Sequence, residues 1–346
     1  MFLENHRLSH LPPAEFPRLT VLEDKCSGCG RCVQSCPIQL LTVENGKMRD
    51  NRRYDWFRCI ACENCVAVCP QQAIRIDGGY RVPAGYWKND HLFSGGKVRP
   101  KPVAIQNGGE FEAFETELTE TEKIIYRRRS VRLYKRTQVP KDLVTRILEA
   151  GRFAPSAGNN QPWKFIVIQN RALIDEMDWK IKQFCRIVML GTMPLPWVKG
   201  KESPDRHARP AFWQKALYQL LLRVRGPNEL DQRALGGINA IVADPGYHTF
   251  FHAPTVILLL ADRRGIGSVD LDTGICGQNI VLAAHALGLG TCYVSLIDGL
   301  QAFPIFKRKI GVRPPFHIVT SLTLGYPLGQ VDRVVEREQL RVEWID

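Results

Sequence analysis

The chain has 346 residues, 45% of them hydrophobic and 24% charged, a balance that excludes disorder and fibrous repeats and is enough for two domains with their own cores. The net charge is +12, which admits nucleic acid, a membrane surface, or an anionic cofactor or partner. No nucleic-acid module accompanies that charge, so nucleic-acid binding is not expected.

Met1–Leu19 lacks a basic region followed by an apolar core, and so lacks the pattern of a signal peptide. The longest clean apolar run, Ala253–Ala261, is too short to cross a bilayer as a helix. The expectation is a cytoplasmic protein without a membrane span.

Eight of the eleven cysteines lie within residues 26–69. They form Cys26-x2-Cys29-x2-Cys32-x3-Cys36-Pro37 and, 33 residues later, Cys59-x2-Cys62-x2-Cys65-x3-Cys69-Pro70. The offset marks an internal duplication. A four-iron cube needs one thiolate per iron, and three cysteines at i, i+3 and i+6 wrap three corners from one tight loop. In proteins with this spacing the fourth ligand comes from the other run. Cys26, Cys29, Cys32 and Cys69 are therefore expected at one [4Fe–4S] cluster, and Cys59, Cys62, Cys65 and Cys36 at the other. Ser27, Gly28, Gly30 and Ala61 are small enough for backbone amides to approach the sulfides. Structural zinc also uses Cys-x2-Cys pairs, but it needs neither the third cysteine in register nor the proline. Asn45-Gly46 and Gly78-Gly79 are hairpin-turn signals after each run. The segment resembles bacterial two-cluster ferredoxins over about sixty residues, which implies one-electron transfer.

Gly95-Gly96, Pro100, Pro102 and Gly108-Gly109 break regular structure, and an acidic stretch from Glu110 to Glu122 follows. The expected division is a ferredoxin domain over 1–100, a linker over 101–118 and a catalytic domain over 119–346. The basic run Arg127–Arg129 with Arg132 offers charge-assisted bonds to a phosphate and an anionic ring edge through Arg128, Ser130 and Arg132. The loop Ala154-Pro155-Ser156-Ala157-Gly158-Asn159-Asn160-Gln161-Pro162-Trp163 precedes an apolar strand at 165–168. Asn159 and Gln161 carry the donors and acceptors that a flavin's pyrimidine edge requires.

Arg-x-Ser-x-Arg, then Pro-Ser-x-x-Asn-x-Gln-Pro-Trp and a strand, resembles the FMN-dependent nitroreductase family. Phe251-His252-Ala253-Pro254 before a strand Thr255–Leu260, Asp272-x-Gly274 opening a helix, Gly288-Leu289-Gly290-Thr291-Cys292 and Gly325-Tyr326-Pro327 agree in order. The resemblance covers roughly residues 124–335 and implies an α+β fold, a mostly antiparallel sheet flanked by helices, as a homodimer. It assigns Arg128, Ser130 and Arg132 to FMN, with Arg129 contributing. It sends Pro155, Ser156 and Asn159 to the partner subunit's FMN and passes Val294-Ser295-Leu296 by the flavin N5 edge, where Ser295 departs from the usual glycine. Arg333 is the nearest match to a basic phosphate ligand.

Residues 185–250 fit the resemblance least, and near-helical spacing in Ala211–Arg223 suggests a lid. Tyr247, His248 and His252 are candidates to face substrate, against a structural role. Cys185, Cys276 and Cys292 are expected as buried filler, and Val334–Asp346 as a tail reaching over the other subunit. The implied activity passes electrons from two clusters to FMN and on to a small conjugated acceptor: a nitroaromatic, quinone or activated alkene. The donor is reduced ferredoxin or NAD(P)H, although no Gly-x-Gly-x-x-Gly fingerprint is present. The alternatives are an electron-transfer adaptor between protein partners with no dedicated substrate and, more remotely, a flavin that is itself consumed.

Overall fold

A computed structural model describes residues 14–51, 57–85, 87–89, 97–98, 100, 111–192, 212–213, 216, 231–338 and 340–345. In chain order the elements are β1 (Arg18–Val21), α1 (Arg31–Ser35), β2 (Leu41–Glu44), β3 (Lys47–Asp50), α2 (Asn64–Val68), β4 (Ile74–Asp77), β5 (Lys97–Val98) and α3 (Phe111–Phe114). Then come α4 (Glu120–Arg127), α5 (Lys141–Arg152), β6 (Trp163–Ile168), α6 (Arg171–Thr192), α7 (Gln232–Ala243), β7 (Thr255–Asp262) and α8 (Val269–Ala286). The chain closes with β8 (Gly290–Tyr293), α9 (Pro304–Lys309), β9 (Phe316–Gly325) and β10 (Arg337–Glu338).

The chain divides into two compact units that do not follow a single cut. One comprises Met1–Thr119, Arg186–Pro245 and Arg333–Asp346; the other comprises Glu120–Cys185 and Gly246–Asp332. The region expected to follow a linker as one run is thus shared between them. The expected lid at Ala211–Arg223 lies largely outside the described residues.

In the first unit, Asn45 and Gly46 both adopt left-handed φ (48° and 71°) and close the β2–β3 hairpin, as an Asn-Gly turn requires. Gly78-Gly79 differs. β4 pairs backward with β1, from Arg18–Asp77 to Val21–Ile74, and Arg81 bridges to Glu15, so the chain after Gly78 extends the β1 side instead of forming a hairpin. Helix α7 joins this unit by its apolar face. Leu235 packs with Ile38, Leu40, Phe57 and Met189. Asp231 caps the helix by accepting from Arg233 N (2.8 Å), and Tyr80 donates to the same carboxylate (3.4 Å). The tail belongs here too: β10 pairs with β5.

The second unit is built on a four-stranded antiparallel sheet in the order β6-β7-β9-β8. Central β7 is buried from Thr255 to Ala261, which is why its sequence is an unbroken apolar run. A register shift at Leu259/Leu260 bends it against β9. Helices α5 and α8 cover the sheet; Val144, Ile147, Cys276, Ile280 and Ala284 meet Ile257, Leu259, Leu322 and Leu324. Gly151 of α5 sits where a Cβ would lie 2.6 Å from Ile280 Cγ1, so the close helix approach depends on its missing side chain. Helix α8 begins one turn before the expected Asp272, at Val269.

Candidate functional site

The first unit gathers the cysteines into two quartets. Cys26, Cys29, Cys32 and Cys69 line one cavity together with Ser27, Gly28 and Gly30. Cys36, Cys59, Cys62 and Cys65 line a second one with Ile38, Leu40 and Ile60. The exchange of the fourth cysteine follows from the duplicated fold. Cys36 and Cys69 end the short helices α1 and α2, which pack against each other, so each run's last thiol is carried toward the other run.

Backbone amides already point at these sulfurs. Met48 N lies 3.4 Å from Cys26 Sγ, Leu40 N 3.5 Å from Cys36 Sγ, Ala61 N 3.4 Å from Cys59 Sγ and Ala73 N 3.3 Å from Cys69 Sγ. Such donors stabilise thiolate charge. Burial and the neighbouring thiols, including Cys29, Cys69 and Cys26, lift Cys32 to about 11, and burial lifts Cys36 likewise to about 11. Crowded thiols that resist ionisation together are what a polynuclear cation relieves. For Cys26 slight burial works upward, but the Met48 and Gly28 amides with Lys47 and Arg49 outweigh it and hold the thiol below its ordinary value. Gly28 has φ +64°, and a Cβ there would overlap the Gly46 carbonyl, so only glycine lets the loop come this close to the β2–β3 turn. Among the described residues no three His, Cys, Asp or Glu side chains converge on one point fit for a single ion.

In the second unit the basic loop 128–132 lies along β8. Val131 N donates to Thr291 O (2.8 Å), Ser130 bridges Thr291 in parallel, and Tyr134 Oη donates to Val131 O (2.6 Å) beside Thr323 Oγ1 (2.7 Å). Arg129 is buried. Arg132 stacks over Phe251 at 5.3 Å, and its Nε is buried with no hydrogen bond within the chain. A desolvated guanidinium nitrogen without a partner is costly, and an anionic ligand at this loop would satisfy it. Burial raises Cys292, while Arg132, the Ser130 side chain and Arg128 pull it back.

The 155–161 loop packs elsewhere in the unit, at the start of α8. Ala157 N donates to Asp272 Oδ2 (3.1 Å), Gln161 N to Ser156 Oγ (3.0 Å) and Gln161 Nε2 to Asn159 Oδ1 (3.1 Å). Pro155, Asn159 and Gln161 are exposed, and Asn159 and Gln161 hold left-handed φ of 55° and 47°. This internally braced loop presents polar groups outward. Ser295 is exposed at the start of a 3-10 stretch, Ser295–Ala302. The amide of Val294 is taken by Ser321 O (2.9 Å), which leaves Ser295 or Leu296 as the amides this segment could offer a flavin.

Arg333 departs from expectation. Its guanidinium donates to Cys69 O (2.7 Å) and Pro70 O (3.1 Å), at a cysteine quartet instead of a phosphate. One group, Asp178, escaped sequence reasoning. Asp178 is 4% exposed, accepts from Thr249 N (2.6 Å) and pairs with Lys182 (3.2 Å). Phe251 and His252 are consecutive left-handed residues (φ 53° and 54°), a strained pair of the kind that collects at functional sites. Tyr247 is buried, His248 lies 3.6 Å from Asp178, and the His248 and His252 rings meet at 3.7 Å with a 50° tilt. Cys185, Cys276 and Cys292 are buried. Among the described residues no helix is long and apolar enough to cross a membrane.

Residues 125–326 match the Nitroreductase family and residues 25–74 the 4Fe-4S dicluster domain. A protein of Archaeoglobus fulgidus, provisionally named an NADH dehydrogenase/NAD(P)H nitroreductase, is 45% identical over 61% of this chain and 87% of its own. The 4-nitrobenzoate reductase of a Nocardioides species is 31% identical over 60% of this chain and 80% of its own. A Bacteroides fragilis nitroreductase with bound FMN aligns at 22% identity with a TM-score of 0.45, over 66% of this chain and 98% of that one. Because the Nitroreductase family model matches residues 125–326, more than half of its length, the chain belongs to the nitroreductase family, and it carries a 4Fe–4S dicluster ferredoxin domain ahead of that region.

Proposed function

We propose that this chain is an iron–sulfur flavoprotein oxidoreductase that takes single electrons through two [4Fe–4S] clusters, collects them on FMN and delivers them to a small conjugated acceptor. The observation that carries this is the pairing, in one nitroreductase-family chain, of two cysteine quartets with a basic loop whose Arg132 Nε is buried and lacks an intramolecular partner. Bound FMN would supply the exchange between one- and two-electron chemistry. The residues supply binding and bias. Arg128, Ser130 and Arg132 would hold the phosphate and the anionic edge of the ring, and the cations favour a reduced, negatively charged ring. Pro155, Ser156, Asn159 and Gln161 would reach the cofactor of a second copy across a homodimer, and their outward presentation supports this. Of the acceptor classes, nitroaromatic, quinone or activated alkene, the first draws support from relatives named as nitrobenzoate and nitrobenzene reductases. Reduced ferredoxin or NAD(P)H would be the donor.

Anaerobic dithionite titration followed by absorbance and EPR tests the reading. Uptake of about four electrons per chain is expected, two for the clusters and two for the flavin. Iron and sulfide absent after anaerobic reconstitution would overturn it. Full uptake without turnover of any acceptor in the three classes would favour an adaptor between protein partners.

A further inference from the structure

The duplication makes the two quartets equivalent in ligation but not in surroundings. Position by position, Lys25 matches Arg58, Gly30 matches Glu63 and Arg31 matches Asn64. The cation before each first cysteine is thus common to both, while the first run gains Arg31 and the second gains a carboxyl, Glu63, buried at 5% exposure. Two more cations come to the first quartet from outside its run. Lys47 Nζ donates to Cys26 O and Glu23 O, both at 2.8 Å. Arg333, 264 residues from Cys69 in sequence, donates to Cys69 O at 2.7 Å and Pro70 O at 3.1 Å. Arg49 also faces Cys26, its charge shared with Glu23 at 2.9 Å. The wall of the second quartet carries Arg18, Arg58 and Asp50 with the polar Asn64, and is otherwise apolar: Ile38, Leu40 and Ile60, backed by Phe57 and Leu235. Cys29 of the first quartet is exposed, whereas its counterpart Cys62 is half-buried.

We propose that the two cluster sites are electrostatically graded, with the Cys26/Cys29/Cys32/Cys69 site the more easily reduced and Arg333 the residue that sets the gap. A four-thiolate cluster gains one electron and no proton on reduction, so its negative charge rises by one. Positive charge held within a few ångströms stabilises that state, and exposure solvates it, while an apolar wall and a carboxyl do neither. Two hydrogen bonds fix the Arg333 guanidinium against the backbone of a ligating residue, so its charge acts at constant distance without side-chain wandering. Arg333 is a positioning charge here, not a ligand.

This inference rests on the iron–sulfur reading above, and an EPR-monitored redox titration of the full reconstituted chain, with iron counted, separates the two. Wild type should show two resolved one-electron cluster steps. Arg333→Gln should lower the upper step by about tenfold in the reduction equilibrium, 59 mV for one electron, and leave the lower step in place. Arg333→Lys should restore most of the shift, because it keeps the charge. Lys47→Gln supplies a second, independent lowering of the same step. Coincident steps in wild type, an Arg333→Gln shift confined to the lower step, or equal shifts in both would overturn the grading. Loss of the roughly eight irons per chain in wild type would overturn the cluster reading instead.

Discussion

Single atoms decide whether the cysteine loops close. At Gly28 a methyl group would meet the Gly46 carbonyl, and φ +64° already disfavours any side chain. Gly28→Ala should cost about 1–2 kcal/mol in backbone strain and about 1–3 kcal/mol in overlap. The expected result is a chain that retains fewer than the roughly eight irons of wild type, counted against protein after anaerobic reconstitution; full retention would sink the loop argument. Arg132 makes the matching case in the second unit. Removing a charge-assisted bond costs about 1.5–3 kcal/mol, so Arg132→Gln should weaken FMN binding by roughly ten- to a hundredfold, read by fluorescence titration of the apoprotein. Unchanged affinity would mean that the buried Nε serves packing alone.

Elements show where sequence was legible and where it was not. The cysteine spacing, the Asn45-Gly46 hairpin and the apolar run of β7 follow from local chemistry, as does the strand expected at 165–168, which starts two residues earlier, at Trp163. What sequence could not show is partnership. Gly78-Gly79 has the residues of a hairpin, yet β4 finds its partner upstream, because pairing is settled by what else the chain offers. Helix α7 was equally opaque: Gly236-Gly237 at its centre argues against a helix, and its apolar residues do not say which core they enter. The structure gives the two glycines opposite roles. A Cβ at Gly236 would strike the Phe57 ring, whereas one at Gly237 meets nothing within 4 Å. Gly237→Ala should therefore stabilise by up to about 1 kcal/mol, and Gly236→Ala should destabilise by about 1–3 kcal/mol, partly relieved by adding Phe57→Leu. Denaturant midpoints with equal slopes check this, and two stabilising substitutions would dismiss the α7–Phe57 contact.

At the scale of the molecule, three histidines among the described residues contribute to acid stability. Burial first, then Lys182 and Arg171 against the opposing pull of Asp178, hold His248 below 6.5; burial, His248 and Arg171 do so for His252, and burial with Arg128 and Arg127 for His285. Well above pH 6.5 these rings are neutral in both states. Below it the unfolded chain takes up protons more readily, so stability should fall as pH drops from 7 toward 5. Unfolding midpoints at matched iron content, taken at pH 7.5, 6.5 and 5.5, should decline in that order, and His248→Gln should flatten the decline. The segmented first unit has a different consequence, for biosynthesis. The face of Ile38, Leu40 and Phe57 is closed by Met189 and Leu235, and Cys69 receives its arginine from position 333. A nascent chain therefore exposes its cysteine loops until the ribosome has passed well beyond them. Iron–sulfur assembly machinery would have a long interval of access, and an excised N-terminal fragment should behave as a sticky, incomplete ferredoxin.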